Sequence, residues 1–150
     1  SWSLSERLSV SAAFGGESGT WFNDLDALDR TTSTKVSSVT LRGANRVDGV
    51  ALTLASGQAL THGGSGGTAT SLTLGAGEHL VGATLCRGDE DGKTRIFYAE
   101  LRTSAQKTVK VGVKTSDCSE YSAGSGRGII GFLGRAGDEV DQLGFVYGKV

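Results

Sequence analysis

The sequence predicts an all-β domain, and three observations predict it. Short apolar runs recur with a period of two, as in Val50, Leu52 and Leu54 or Val109, Val111 and Val113, the pattern of strands buried on one face. The 24 glycines, more than double the usual share, fall between those runs and so mark tight turns rather than a low-complexity linker. No stretch of about ten residues or more carries the apolar spacing of an amphipathic helix.

At 150 residues the chain is long enough for one domain with its own hydrophobic core. Fifteen basic residues against 16 acidic ones leave no strong field, which argues against nucleic acid as a partner. No apolar run approaches the ~20 residues of a membrane span, so direct membrane insertion is not expected. Position 1 is Ser and no leader precedes it, which predicts a processed product or a module of a larger multidomain protein. Cys86 and Cys118 can form one disulfide or stay as two buried thiols. Neither has a second Cys or a His at ligand spacing, so no metal is expected.

Taken in order, residues 1–9 read as a linker or edge segment, with Ser3 and Glu6 spaced as a weak capping box, and 10–150 as the domain. Strands are expected around Val39 and Leu41, Val50 to Leu54, Leu72 and Leu74, and Val81 to Leu85. Ile96 to Leu101 and Val109 to Val113 follow. The chain closes with Ile129 to Leu133 and Leu143 to Tyr147 on either side of an acidic, glycine-bearing turn.

A degenerate repeat underlies this order. Glycine-rich loops recur at Gly15–Gly19, Gly63–Gly67 and Gly124–Gly128, starting at positions 15, 63 and 124 and so 48 and 61 residues apart. A second loop type recurs at Gly43–Asp48, Gly88–Asp91 and Gly137–Asp141, each leading into a β run. Three units of one sheet each would close into a three-sided prism that shields its sheet edges.

The last turn carries the chemistry. Gly137 is read as the residue that lets the backbone turn so that successive N–H groups face one concavity, to which Asp141 returns a carboxylate. Main-chain donors around one acceptor carboxylate suit a ligand rich in vicinal hydroxyls, which is a sugar. The bland alternative is a hairpin whose Asp only caps its own turn.

The run from Gly131 to Gly144, with Gly134-Arg135-Ala136-Gly137-Asp138-Glu139-Val140-Asp141 at its centre, resembles the closing signature of jacalin-related lectins. Phe14-Gly15-Gly16-Glu17-Ser18-Gly19-Thr20-Trp21 resembles that family's glycine-rich opening. The resemblance implies a β-prism I fold, three four-stranded Greek-key sheets with pseudo-threefold symmetry. It implies a carbohydrate site in which Gly19, Asp138 and Glu139 offer main-chain N–H groups, Gly137 and Val140 shape the loop, and Asp141 supplies the carboxylate. By the same symmetry Gly66 and Gly67 would face Asn45, Arg46 and Asp48 in a second site, although Ala44 stands where the key glycine belongs. A third pair, Gly124–Gly128 against Gly88–Asp91, is the weakest.

The family resemblance further implies mannose or glucose, including the mannose core of N-glycans, over galactose. Gly19 is internal to the chain, and no aromatic stands near Arg87 in the third-repeat loop. Cys86 to Tyr98 is similar to microbial members, and such modules occur in secreted toxins and adhesins, so an extracellular, cell-surface role is expected. The alternative is a structural or protein-interaction prism whose sugar loops are vestigial.

Other signals fail. Gly126 to Gly131 spells G-x-G-x-x-G but a β run, not a helix, follows it, and Gly63–Gly67 lacks the lysine of a phosphate loop. Asp89 and Asp91 open like a calcium loop, yet Thr94 occupies its glycine position. Arg87-Gly88-Asp89 is a tripeptide that chance supplies. His62 and His79 stand without a nucleophile. Glu139 and Asp141, two apart on one turn, do not straddle a bond as glycosidase carboxylates must. No enzyme and no cofactor are expected.

Overall fold

The computed structural model describes residues 8–29 and 34–150. The capping-box residues Ser3 and Glu6 lie outside the described residues. So does most of segment 1–9, of which Leu8 and Ser9 pair with the last strand.

The elements are β1 (Leu8–Val10), β2 (Phe14–Gly15), β3 (Thr20–Asn23), a one-turn helix α1 (Leu25–Asp29), β4 (Val36–Gly43), β5 (Val47–Leu54) and β6 (Ala59–Gly63). Then come β7 (Thr68–Thr73), β8 (Leu80–Glu90), β9 (Lys93–Thr103), β10 (Thr108–Gly112), β11 (Asp117–Ser122), β12 (Arg127–Ala136) and β13 (Val140–Lys149). They form three antiparallel sheets, each built on one long hairpin: β4–β5, β8–β9 and β12–β13. In two sheets the strand orders β6-β5-β4-β7 and β10-β9-β8-β11 place the fourth strand back beside the first, a Greek key. In the third, β3 lies on β12, while β1 and β2 follow one another along β13 as a single interrupted edge. This is the β-prism the repeat implied.

The period-two residues supply the core. Val39, Leu41, Leu52, Leu85, Ile96, Leu101, Phe132 and Phe145 are fully buried. Phe132 and Phe145 meet at 6.1 Å between ring centroids, and each of these side chains removes large apolar area from water. Asp24, just before α1, joins two sheets. Its Oδ2 accepts the Phe132 N–H at 2.8 Å and its Oδ1 lies 2.7 Å from His62 Nε2, while Phe22 stacks on that imidazole at 3.8 Å. The histidine without a nucleophile is thus a core clamp.

The cysteines settle as one disulfide: Cys86 and Cys118 face each other across β8 and β11 with Cα atoms 4.0 Å apart. Val113 departs from the expected alternation. It lies past the end of β10 and is 54% exposed.

Each long hairpin carries a β-bulge on the turn side of its returning strand, and in each the skipped residue is equivalent. It is Asp141 between the pairs Ala136–Val140 and Arg135–Gln142. It is Asp48 between Gly43–Val47 and Arg42–Gly49, and Phe97 between Arg87–Ile96 and Cys86–Tyr98. A bulge re-aims a side chain out of the pleat, which is how a carboxylate reaches the end of a strand pair.

Candidate functional site

The bulges fix the internal symmetry, and they correct one element of the sequence reading. The loops facing them are Gly15–Gly19, Gly63–Gly67 and Gly112–Ser116, each of five residues and followed directly by the edge strand β3, β7 or β11. In all three the first glycine has positive φ (133°, 98° and 87°) and its Cα abuts the carbonyl of the bulged residue, Asp141, Asp48 or Phe97. Any Cβ would collide there, so only glycine serves. Gly124–Gly128 is not the third loop. It lies at the opposite end of its sheet, where Arg127 pairs with Lys149 and the Val150 N–H donates to Gly126 O at 3.1 Å. A hollow of about 670 Å³ lies there, lined by Lys35, His79, Ile129 and Lys149 among others, far from the hairpin turns. The sequence masked the third loop because it holds one glycine and because its hairpin, between Arg87 and Ile96, is longer and turns at Asp91-Gly92.

At the first position the Gly16 N–H donates to Asp141 O at 2.7 Å, locking loop to bulge. A Cβ on Gly19, whose φ is 81°, would stand 2.6 Å from Asp141 Oδ2, so Gly19 lies directly against the carboxylate. Asp141 is 2% exposed, and its Oδ1 is buried without a hydrogen bond. Arg95 Nη1, reaching in from the third hairpin, stands 3.5 Å from that oxygen and supplies charge without closing a bond. Burial raises the Asp141 pKa above its ordinary value, and Arg95 opposes the shift. The turn is closed by the Gly137 N–H donating to Glu139 O at 3.0 Å. The amides of Gly19, Asp138 and Glu139 have no acceptor among the described residues. Gly19 thus lies against the Asp141 carboxylate, and Asp138 and Glu139 belong to the turn that leads into it.

One of the expected loop residues acts otherwise than the sequence suggested. Gly137 does not have positive φ, and a Cβ there would meet nothing within 4 Å, so its turn does not demand glycine. Val140 is wholly buried and anchors the turn from within. The Glu139 side chain is not free: both its oxygens are gripped by Arg46, at 2.7 Å (Nε) and 3.0 Å (Nη2), which holds its pKa below the ordinary value.

The second position repeats this construction. The Gly64 N–H donates to Asp48 O at 2.8 Å, and the Ala44 N–H closes its turn on Arg46 O at 3.2 Å. Cβ atoms on Gly66 and Gly67 would lie 2.6 and 2.8 Å from the Asp48 carboxylate. Asp48 is less deeply buried than Asp141, and burial again raises its pKa. Ala44 in the place of Gly137 is no defect, since neither position needs glycine. Asn45 is exposed at the tip, whereas the Arg46 side chain is committed to Glu139 and Glu90. At the third position Phe97 replaces the aspartate and Ser116 the last glycine, and Arg87 pairs with Asp117 at 2.8 Å across the opening.

The sequence reading missed Arg135, Arg42 and Arg95. Arg135 and Arg42 donate to carbonyls of the two glycine loops, at 3.1 Å to Gly19 O and 2.8 Å to Ser65 O. A signal for them existed: Arg135 to Asp141 and Arg42 to Asp48 share the pattern R-x-x-x-x-V-D. Arg95 had none, being brought to Asp141 only by the meeting of two sheets. Among the described residues no group of three or more His, Cys, Asp or Glu side chains is placed to hold a metal.

The comparisons agree with this fold. The fold superposes on wild-type Malaysian banana lectin with a TM-score of 0.80 at 21% identity, covering 95% of this chain and 99% of that one. A mannose-binding jacalin-related lectin from Ananas comosus gives a TM-score of 0.80 at 19% identity, over 95% and 99% of the two chains. A mannose-specific jacalin-related lectin from Morus nigra, in complex with mannose, gives 0.79 at 21% identity, over 95% of each. Among curated proteins none matches by sequence. The jacalin-like lectin domain profile, however, matches residues 11–146, nearly the whole chain. With three antiparallel sheets, three equivalent bulged hairpins and that match, the chain belongs to the jacalin-like lectin family.

Proposed function

We propose that this domain binds mannose- or glucose-type sugars, including the mannose core of N-glycans, at the cup formed by Gly19, Gly137, Asp138, Glu139, Val140 and Asp141. The observation that carries the reading is the Asp141 carboxylate, whose Oδ2 faces Gly19, with amides that lack acceptors among the described residues at Gly19 and in the turn at Asp138 and Glu139. Solvent-facing amides beside an acceptor carboxylate can exchange water for hydroxyls, and that pairing of donors with an acceptor suits a sugar. Vicinal hydroxyls of a pyranose donate to the carboxylate and accept from the amides at once.

The relatives support the sugar class. Besides the Morus nigra lectin with mannose, similar structures include artocarpin with mannotriose and Calsepa lectin with a biantennary N-glycan. The same construction around Asp48, Gly66, Gly67, Asn45 and the Arg46 main chain is proposed as a second site. The third position, with Phe97 and Ser116, is proposed as a remnant. The setting expected of the module, secreted and part of a larger protein, is part of this proposal.

A glycan array probed with the wild-type domain and with Asp141→Ala tests the reading. High-mannose and N-glycan core structures are expected to bind, with signal reduced in the variant. No glycan binding by either protein would favour a structural prism, and identical binding by both would place the sugar elsewhere than Asp141.

A further inference from the structure

We propose that Arg135 and Arg42 are positioning residues, one for each sugar cup, which set the direction of the Gly19 and Gly67 amides. The proposal rests on the sugar-site reading above and adds to it two residues outside the cups.

Arg135 Nε lies 3.4 Å from Ser18 O, and its Nη2 donates to Gly19 O at 3.1 Å. Arg42 Nε donates to Gly66 O at 3.2 Å, while its Nη2 reaches Ser65 O at 2.8 Å and Gly67 O at 3.3 Å. The bonds to Ser18 O and Gly66 O matter most. Ser18 C=O and Gly19 N–H belong to one planar trans peptide, as do Gly66 C=O and Gly67 N–H. Holding the oxygen on one side fixes the N–H on the other. Each guanidinium thus fixes the amide of the glycine that lies against the carboxylate of Asp141 or Asp48.

Such an external hold is needed because these loops cannot fix themselves. Gly19 and Gly67 sit at positive φ (81° and 67°) in glycine-rich segments of high conformational entropy. The rigid fork of arginine grips two carbonyls from one side chain, which an ammonium does poorly.

The third repeat supplies an internal control. Arg135 and Arg42 stand opposite Trp21 and Ala69 on the edge strand, and the same register in the third sheet holds Cys86 opposite Cys118. There a disulfide replaces the arginine, and there the bulge carries Phe97 instead of aspartate. Clamp and carboxylate are present together twice and absent together once.

The test is a titration of the 15N-labelled domain with methyl α-mannopyranoside, following the Gly19 and Gly67 amide resonances separately. Arg135→Gln is expected to weaken binding read at Gly19 about tenfold and leave that at Gly67 within about twofold. Arg42→Gln should do the reverse, and Arg135→Lys should fall between wild type and Gln. Unchanged binding at Gly19 in Arg135→Gln overturns the proposal. So does an equal loss at both glycines with a lower Tm, which would mark a general stabilising role. Asp141→Asn run in parallel separates the two ideas. If it leaves the Gly19 response intact, the sugar-site reading itself fails; if it removes that response while Arg135→Gln does not weaken it, only the clamp fails.

Discussion

Arg46 and Glu139 occupy equivalent positions in two different hairpins and form a two-pronged ion pair, 2.7 and 3.0 Å, across the axis that relates the sheets. Arg95, the third equivalent, stands 4.0 Å from the same glutamate and 3.5 Å from Asp141. One acid and two bases where strict symmetry would bring three like charges make the turns attract one another. Removing either partner should therefore loosen the meeting of the hairpins.

Glu139→Gln and Arg46→Gln are each expected to lower stability by about 1–3 kcal/mol, between the values for exposed and buried pairs. A double-mutant cycle in urea measures the coupling. Additive losses would mean that the pair contributes nothing as a pair.

Asp141→Asn should leave the fold intact and reduce sugar binding at the first cup by at least about tenfold, because charge-assisted bonds are the strong ones and an amide presents donors to donors. Calorimetry with methyl α-mannopyranoside reads the change. A wild-type affinity near millimolar is expected for one sugar ring, about 4 kcal/mol.

Gly137→Ala should bind like wild type, since its added Cβ meets nothing. Gly19→Ala should fail, since its Cβ would lie 2.6 Å from Asp141 Oδ2 at a φ of 81°. Equal affinities for the two variants would contradict the positions assigned to both loops.

Acidification should weaken binding while it relieves the cost of the buried Asp141 charge, over one pH window. Asp141 holds its proton more tightly in the folded chain than its ordinary value of 3.8, chiefly through burial. Its contribution to stability therefore falls as pH rises through that raised value. The ionised form is the sugar acceptor, so affinity moves the other way and is lost as pH falls, sooner than for an ordinary aspartate. Calorimetry across the acid range checks the affinity, and Asp141→Asn should flatten the Asp141 part of the stability profile.

Replacing both Cys86 and Cys118 by Ala should lower stability by about 3–4 kcal/mol, the loop-closure value for a separation of 32 residues, and leave sugar affinity unchanged. Chemical denaturation and a parallel titration separate the two effects. A loss of affinity would tie the third sheet to the cups.

Period-two apolar residues such as Val50, Leu52 and Leu54 made the strands legible, because each side chain reports which face of its own strand is buried. Gly19 and Asp141 were legible because loop and bulge chemistry is local and recurs in the family. What was hidden depended on sheets meeting. Arg95 and Arg46 reach their partners 46 and 93 positions away in the chain, and no local pattern encodes that. The third repeat was misplaced for a related reason. Its hairpin is longer and its loop has lost all but one glycine, so Gly124–Gly128 was the stronger glycine signal although it turns the chain at the other end.

The meeting of the hairpin turns sets what one copy can grip. Gly64 abuts the Asp138 carbonyl and Gly16 that of Thr94, so both aspartate cups open on the same side of the molecule. If both cups hold sugars as proposed, a domain built this way lands on a single carpet of glycans and takes two branches from it, like two fingers of one hand. Agglutinating two cells would require a second copy facing away from the first, joined back to back or by a tether.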